Sequence, residues 1–167
     1  MTPGQKEQKY RFAEQIVAEQ SFRRAVGYGL ATTLAAAGVW AIIAAAAGMT
    51  AGFMAVGLGA AVGYAIQFFG RGIEVKYAVL AFALAIGGTV LGNILAALLV
   101  EITKYGTPAL ELLSGVTVGS LISFVVADMD LIGLAFWIMA VSAAAYLANR
   151  RLTHAEELAV FALRFKN

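Results

Sequence analysis

The chain has 167 residues, of which 61% are hydrophobic and 13% charged, with a net charge of +2 and no cysteine. A soluble domain carries about 25% charged residues, so this balance excludes an ordinary water-soluble fold, and the small net charge with basic residues at the ends of apolar runs excludes a nucleic-acid-binding face. Disulfides, thiolate nucleophiles, c-type haem attachment and cysteine metal sites are excluded as well.

Residues 1–24 predict a cytoplasmic amphipathic helix. From Gln5 to Arg24 there is no Pro or Gly, and Phe12, Ala13, Ile16 and Val17 share a face opposite Lys9 and Glu14, a pattern suited to lying on lipid headgroups. Mixed charge and the lack of a small-residue cleavage site argue against a cleaved signal peptide. Four apolar runs follow, at 25–48, 52–70, 77–100 and 131–148, none containing Asp, Glu, Lys, Arg or His. Each is near the roughly 20 residues that cross the hydrocarbon core.

A fifth stretch, 110–127, is diluted by Glu111, Ser114, Thr117, Ser120 and Ser123. Counting basic residues decides its role, because cytoplasmic flanks of spans collect Lys and Arg. Four spans place eleven basic side chains on one side against Lys104 alone on the other, whereas five spans give seven against five. The expected fold class is therefore an all-α integral membrane four-helix bundle (25–148) with flanking amphipathic helices at 1–24 and 149–167. Both termini are expected to be cytoplasmic. The outer segment, 101–130, is expected to hold an interfacial or re-entrant helix.

Arg23, Arg24, Arg71, Lys76, Arg150 and Arg151 are the expected topology anchors. The stretch FFGRGIEVKY (68–77) reads as a tight cytoplasmic hairpin in which Gly70 and Gly72 allow the turn. Within the spans, Gly59 and Gly63 extend a small-residue stripe from Ala55, and Gly88 and Gly92 extend one to Ala96. Ala140 and Ala144 offer the same interval in the last span. Such stripes let helices approach closely in lipid, inside one chain or between copies. Asn93, beside Gly92, is placed for a hydrogen bond across helices or for contact with a permeant molecule.

On the outer side, Tyr105 to Pro108 breaks the third span. The polar residues at intervals of three after it predict a slanted polar band on one helix, with Gly115 and Gly119 permitting close packing. Asp128 and Asp130 precede the last span, as an N-cap and topology marker or as an acidic, cation-attracting mouth. In the tail, Thr153 and Glu156 form a capping-box pattern, His154 is a helix-start residue rather than a metal ligand, and Leu158, Phe161, Ala162 and Phe165 are expected on the apolar side.

Gly70-Arg71-Gly72, Leu91-Gly92-Asn93 and Met129-Asp130-Leu131 together resemble a family of small uncharacterised bacterial polytopic membrane proteins, over about 56–148. The resemblance implies a bacterial inner membrane location and the four-span topology. Relatives in that family often carry an N-terminal zinc ribbon, which a chain without cysteine cannot form. No HExxH, GxSxG or in-span acid pair supplies catalytic machinery, and no cofactor is expected. The functional expectation is a non-enzymatic subunit or scaffold whose partners are the lipid bilayer and either its own copies or a larger membrane complex. The alternative is a small passive channel or carrier with an acidic outer mouth.

Overall fold

The computed structural model describes residues 3–48, 52–128 and 130–164, and all regular structure among them is helical. The elements are α1 (Pro3–Ala18), α2 (Phe22–Ala47), α3 (Met54–Gly70), α4 (Val75–Tyr105), α5 (Ala109–Gly115), α6 (Val118–Asp128), α7 (Leu131–Ala148) and α8 (His154–Arg164). Three of them, α2, α4 and α7, with 26, 31 and 18 residues, are long and apolar enough to cross a membrane. The fourth apolar helix, α3, has 17 residues.

Local chemistry sets the helix ends. The Ser21 hydroxyl accepts the Arg24 N–H (3.4 Å) to start α2, which closes at Gly48 in the left-handed region (φ 65°). Gly106 (φ 69°) ends α4, and the Asp130 carboxylate starts α7 by accepting the Gly133 N–H at 2.6 Å. A break at Glu19–Ser21 separates α1 from α2, so the N-terminal helix does not run on into the first apolar one.

Helix α2 packs on α3 and α4, α7 packs on the same two, and α3 meets α4 between them. Backbone hydrogen bonds from Ser21 N–H to the Gly70 carbonyl (2.9 Å) and from Arg150 N–H to the Gly72 carbonyl (2.8 Å) gather the start of α2 and the ends of α3 and α7 at one end. At the other end, the Lys104 ammonium donates to the Gly48 carbonyl (3.2 Å), joining the C-termini of α2 and α4. Successive apolar helices thus alternate in direction.

Small residues let these helices touch backbone to backbone, which matters in lipid because burial of apolar surface gives little drive for association there. A methyl group added at Gly59 would collide with the Ala140 carbonyl, and one at Gly63 would lie 2.7 Å from the Ala144 oxygen and 2.9 Å from Leu147 Cβ. The stripe on α3 therefore meets Ala140 and Ala144 of the same chain. Gly88 receives Leu58 and Thr33, each at 2.8 Å, and Gly92 receives the six-membered ring of Trp40. Asn93 is buried beside this contact, with Thr33 and Thr89 as the other buried polar side chains among the described residues. The Thr33 hydroxyl donates to the Gly29 carbonyl of its own helix at 2.8 Å, whereas Thr89 Oγ1 and Trp40 Nε1 are sealed in without a protein partner.

A second, smaller core joins α1 to α8, with Ala13 and Ile16 against Ala159 and Val160, and with Ile73, Leu152 and Leu163 around them. The residues of the expected apolar faces divide between this core and the surface. Ala13 and Ile16 are buried as anticipated, but Phe12, Val17, Leu158 and Phe161 are exposed. Phe165 lies outside the described residues. The contact alternates an alanine with a branched side chain on each helix, Ala13 with Ile16 and Ala159 with Val160.

The outer segment also departs from expectation, because Thr117 interrupts it and two short helices replace one. The Thr117 N–H donates to Ser120 Oγ (2.8 Å), the Ser120 N–H donates to Thr117 Oγ1 (3.1 Å), and Ser114 Oγ donates to the Glu111 carbonyl (2.9 Å). These hydroxyls satisfy local backbone groups instead of forming a continuous band. Val116, Ser120 and Leu121 share an apolar cleft with Ile94, Ala97 and Leu98 of α4. Since Ile94 lies eleven residues before Tyr105, at about 1.5 Å per residue the elbow between α5 and α6 lies some 10 to 16 Å below the end of α4.

Candidate functional site

Polar side chains concentrate where α2 begins, α3 ends, α4 begins and α7 ends. The turn after α3 is built around Tyr77, which is almost wholly buried and has Phe22 edge-on at 5.7 Å. A Cβ at Gly70 would come within 2.7 Å of Ala25 and 3.1 Å of the Tyr77 ring, and one at Gly72 would overlap that ring. Between these glycines, Arg71 takes a left-handed conformation (φ 48°, ψ 31°) and caps α3 through its N–H to the Gln67 carbonyl, 3.0 Å. A non-glycine residue in that region costs about 1 to 2 kcal/mol, so Arg71 holds a backbone conformation that glycine would adopt more easily.

Glu19 is the hub of the site. Its Oε2 accepts from Arg150 Nη1 at 2.9 Å and from Arg71 Nη1 at 3.2 Å, tying the α1–α2 break to both the turn and the end of α7. Arg150 Nη2 reaches Glu156 Oε1 at 3.3 Å. Glu156 closes the capping box of α8, accepting the Thr153 N–H at 2.7 Å while its own N–H donates to Thr153 Oγ1 at 3.4 Å. The Thr153 backbone bond, then the Thr153 hydroxyl and Arg150, hold the Glu156 carboxyl below its ordinary range. Gln67 Nε2 donates to the Asn149 carbonyl (2.8 Å) and the Ile73 N–H donates to Gln20 Oε1 (3.1 Å), which adds neutral ties across the same junction.

The sequence-identified residues separate into two groups around this cluster. Arg71 and Arg150 enter it, and Arg151 lies over the Tyr146 ring at 4.8 Å. Lys76 pairs with Glu74 at 2.8 Å, and Arg23 and Arg24 are exposed on the first turn of α2. Gly59, Gly63, Gly88, Gly92 and Asn93 lie in the apolar interior, away from the cluster. Asp130 is at the opposite end as the α7 cap, and the Asp128 side chain lies outside the described residues. His154 begins α8 and is exposed. Gln67, which the sequence offers as an in-span polar group like Asn93, joins the cluster through Asn149, whereas Glu19 and Gln20 carry no such signal. Glu19 is 52 and 131 positions from its two partners, and its only sequence signal is an acid placed between two helical patterns.

Two clefts flank the Glu19–Arg71 bridge. One, of about 530 Å³, is lined by Glu19, Gln67, Phe68, Arg71, Arg150 and Arg151. The other, of about 540 Å³, includes Arg24, Arg71, Ser21 and Phe69. No family model, curated protein or solved structure matches the chain.

Proposed function

We propose that this protein is a non-enzymatic, multi-pass protein of the bacterial inner membrane that acts as a subunit or scaffold, packing with its own copies or with a partner in the membrane. In this reading α2, α3, α4 and α7 are four spans of one bundle, both termini are cytoplasmic, and the α5–α6 elbow re-enters from the outer side. At about 25 Å, α3 is at the lower limit for a span.

The observation that carries the reading is the clamp of Glu19, Arg71 and Arg150. It fixes the α1–α8 pair to the ends of an apolar bundle whose Gly59–Gly63 and Gly88–Gly92 faces are already filled from within. A fixed polar platform on such a bundle is suited to holding another component in register. Passive conduction has less support, because Asp130 caps α7 and the Ser114, Thr117 and Ser120 hydroxyls bond local backbone groups.

Native mass spectrometry after mild detergent extraction is expected to find the protein as a homo-oligomer or with another subunit. Recovery as a lone monomer across several detergents would overturn the reading. The cysteine-free sequence also suits single-cysteine labelling: Tyr105→Cys is expected to react with an impermeant maleimide in intact cells, and Gly4→Cys and Glu157→Cys only after the cells are opened.

A further inference from the structure

We infer that the arginine clefts on either side of the Glu19–Arg71 bridge bind the phosphate group of an anionic phospholipid. The inference rests on the membrane placement proposed above and adds a ligand to it.

Charge is the first argument. Arg24, Arg71, Arg150 and Arg151 line the two clefts against a single lining carboxylate, Glu19. Glu156 offsets part of Arg150 from the side, and at least two positive charges remain uncompensated. Arg24 and Arg151 have no carboxylate partner among the described residues. Guanidinium groups present paired donors in a plane that fits phosphate oxygens.

Position is the second. The apolar helices stop at Gly70 and Ala148, and the arginines begin at the next one to three residues, the level of the lipid phosphates. Phe68, three-quarters exposed, lines the cleft that holds Arg150 and Arg151, and Tyr64 and Tyr146 are exposed one turn further into the apolar layer. The cleft thus opens onto an aromatic surface suited to the glycerol and upper acyl region, as interfacial aromatic residues are in membrane proteins. A soluble anion would gain nothing from that surface. Arg71 is the third argument: it borders both clefts and holds a left-handed backbone that glycine would adopt without cost.

The test uses the full chain in nanodiscs of phosphatidylcholine with or without phosphatidylglycerol, reading the lipids retained by native mass spectrometry. The wild type is expected to retain phosphatidylglycerol preferentially, with the preference falling as salt rises. Arg71→Gly with Arg151→Gln is expected to lower that preference about 30-fold, on the scale of two arginines near a membrane surface. Both side chains are exposed and the glycine suits the backbone, so an unchanged circular dichroism spectrum is expected. An arm with inorganic phosphate separates the sources. Phosphate that displaces phosphatidylglycerol from the wild type supports the site, whereas arginine-dependent binding of phosphate with no preference for phosphatidylglycerol assigns a soluble ligand and overturns the lipid. Retention of lipid without regard to headgroup, or a preference untouched by the double variant, would overturn the site while leaving the membrane placement intact. Arginine-dependent capture of an acidic protein with no lipid preference would also overturn it.

Discussion

Gly59 offers a direct test of how the apolar helices meet. At Gly63 the nearest oxygen would lie 2.7 Å from an added Cβ, about 0.7 Å inside the 3.4 Å at which ordinary contact begins, and at Gly59 the overlap is greater. The opposing atoms are backbone carbonyls of Ala140 and Ala144, which cannot rotate away as a side chain can. Overpacking of this kind costs about 1 to 3 kcal/mol, and a rigid neighbour puts Gly59→Ala in the upper half of that range. Gly57 is on the same helix with open space where its Cβ would be, so Gly57→Ala carries the same change in helix propensity without the collision. The difference between the two variants isolates the contact, at about 2 kcal/mol. Unfolding by titration with dodecyl sulfate, followed by far-ultraviolet circular dichroism and by the fluorescence of the buried Trp40 and Trp137, measures it. Equal midpoints for Gly57→Ala and Gly59→Ala would refute the backbone contact between α3 and α7.

Arg71→Gly is expected to leave stability within about 1 kcal/mol of wild type, since relief of the left-handed backbone offsets the loss of an exposed ion pair worth about 0.2 to 1 kcal/mol; the same titration checks it. Gly72→Ala should be destabilising by about 1 to 3 kcal/mol, because the new methyl group enters the Tyr77 ring. Because the Glu156 carboxyl is depressed in the folded protein, its contribution is complete above the ordinary value of 4.5 and is lost as pH falls through the lower folded value. Cysteine at Ala159 should therefore become reactive toward an acid-tolerant disulfide reagent on acidification below that range, and Glu156→Gln should remove the dependence. Gly92→Ala is expected to displace Trp40 and shift its emission, measured in a Trp137→Phe background.

Much of the fold is legible in the sequence where local chemistry decides. Runs free of charge mark α2, α4 and α7, Thr153 and Glu156 announce the start of α8, and Gly106 with Pro108 announces the end of α4. The bounds shift where capping groups decide them: α2 begins at Phe22 because Ser21 caps it, taking Arg23 and Arg24 into its first turn. Less legible is whatever depends on distant partners. Hydrophobicity alone ranks Leu158 and Phe161 above Ala159 as contact residues, but the approach of α1 favours the smaller side chain. Residues 110–127 read as one helix because apolar content is continuous, whereas Thr117 and Ser120 supply a competing local cap. The Glu19 cluster is assembled from three chain segments, and no window of sequence contains it.

The unequal lengths of the apolar helices have a consequence for the surrounding lipid. At 1.5 Å per residue, α4 extends about 46 Å, against about 25 Å for α3 and 27 Å for α7, which pack on it. With these helices as spans, a bilayer with a hydrocarbon thickness of about 30 Å would meet too short a wall along one flank and ample length along the other. Thinning the lipid along the short flank costs fractions of a kcal/mol for each ångström of mismatch. In the membrane placement proposed above, two such molecules would lower that cost by sharing one thinned annulus, a pull through the deformed bilayer that needs no contact between side chains.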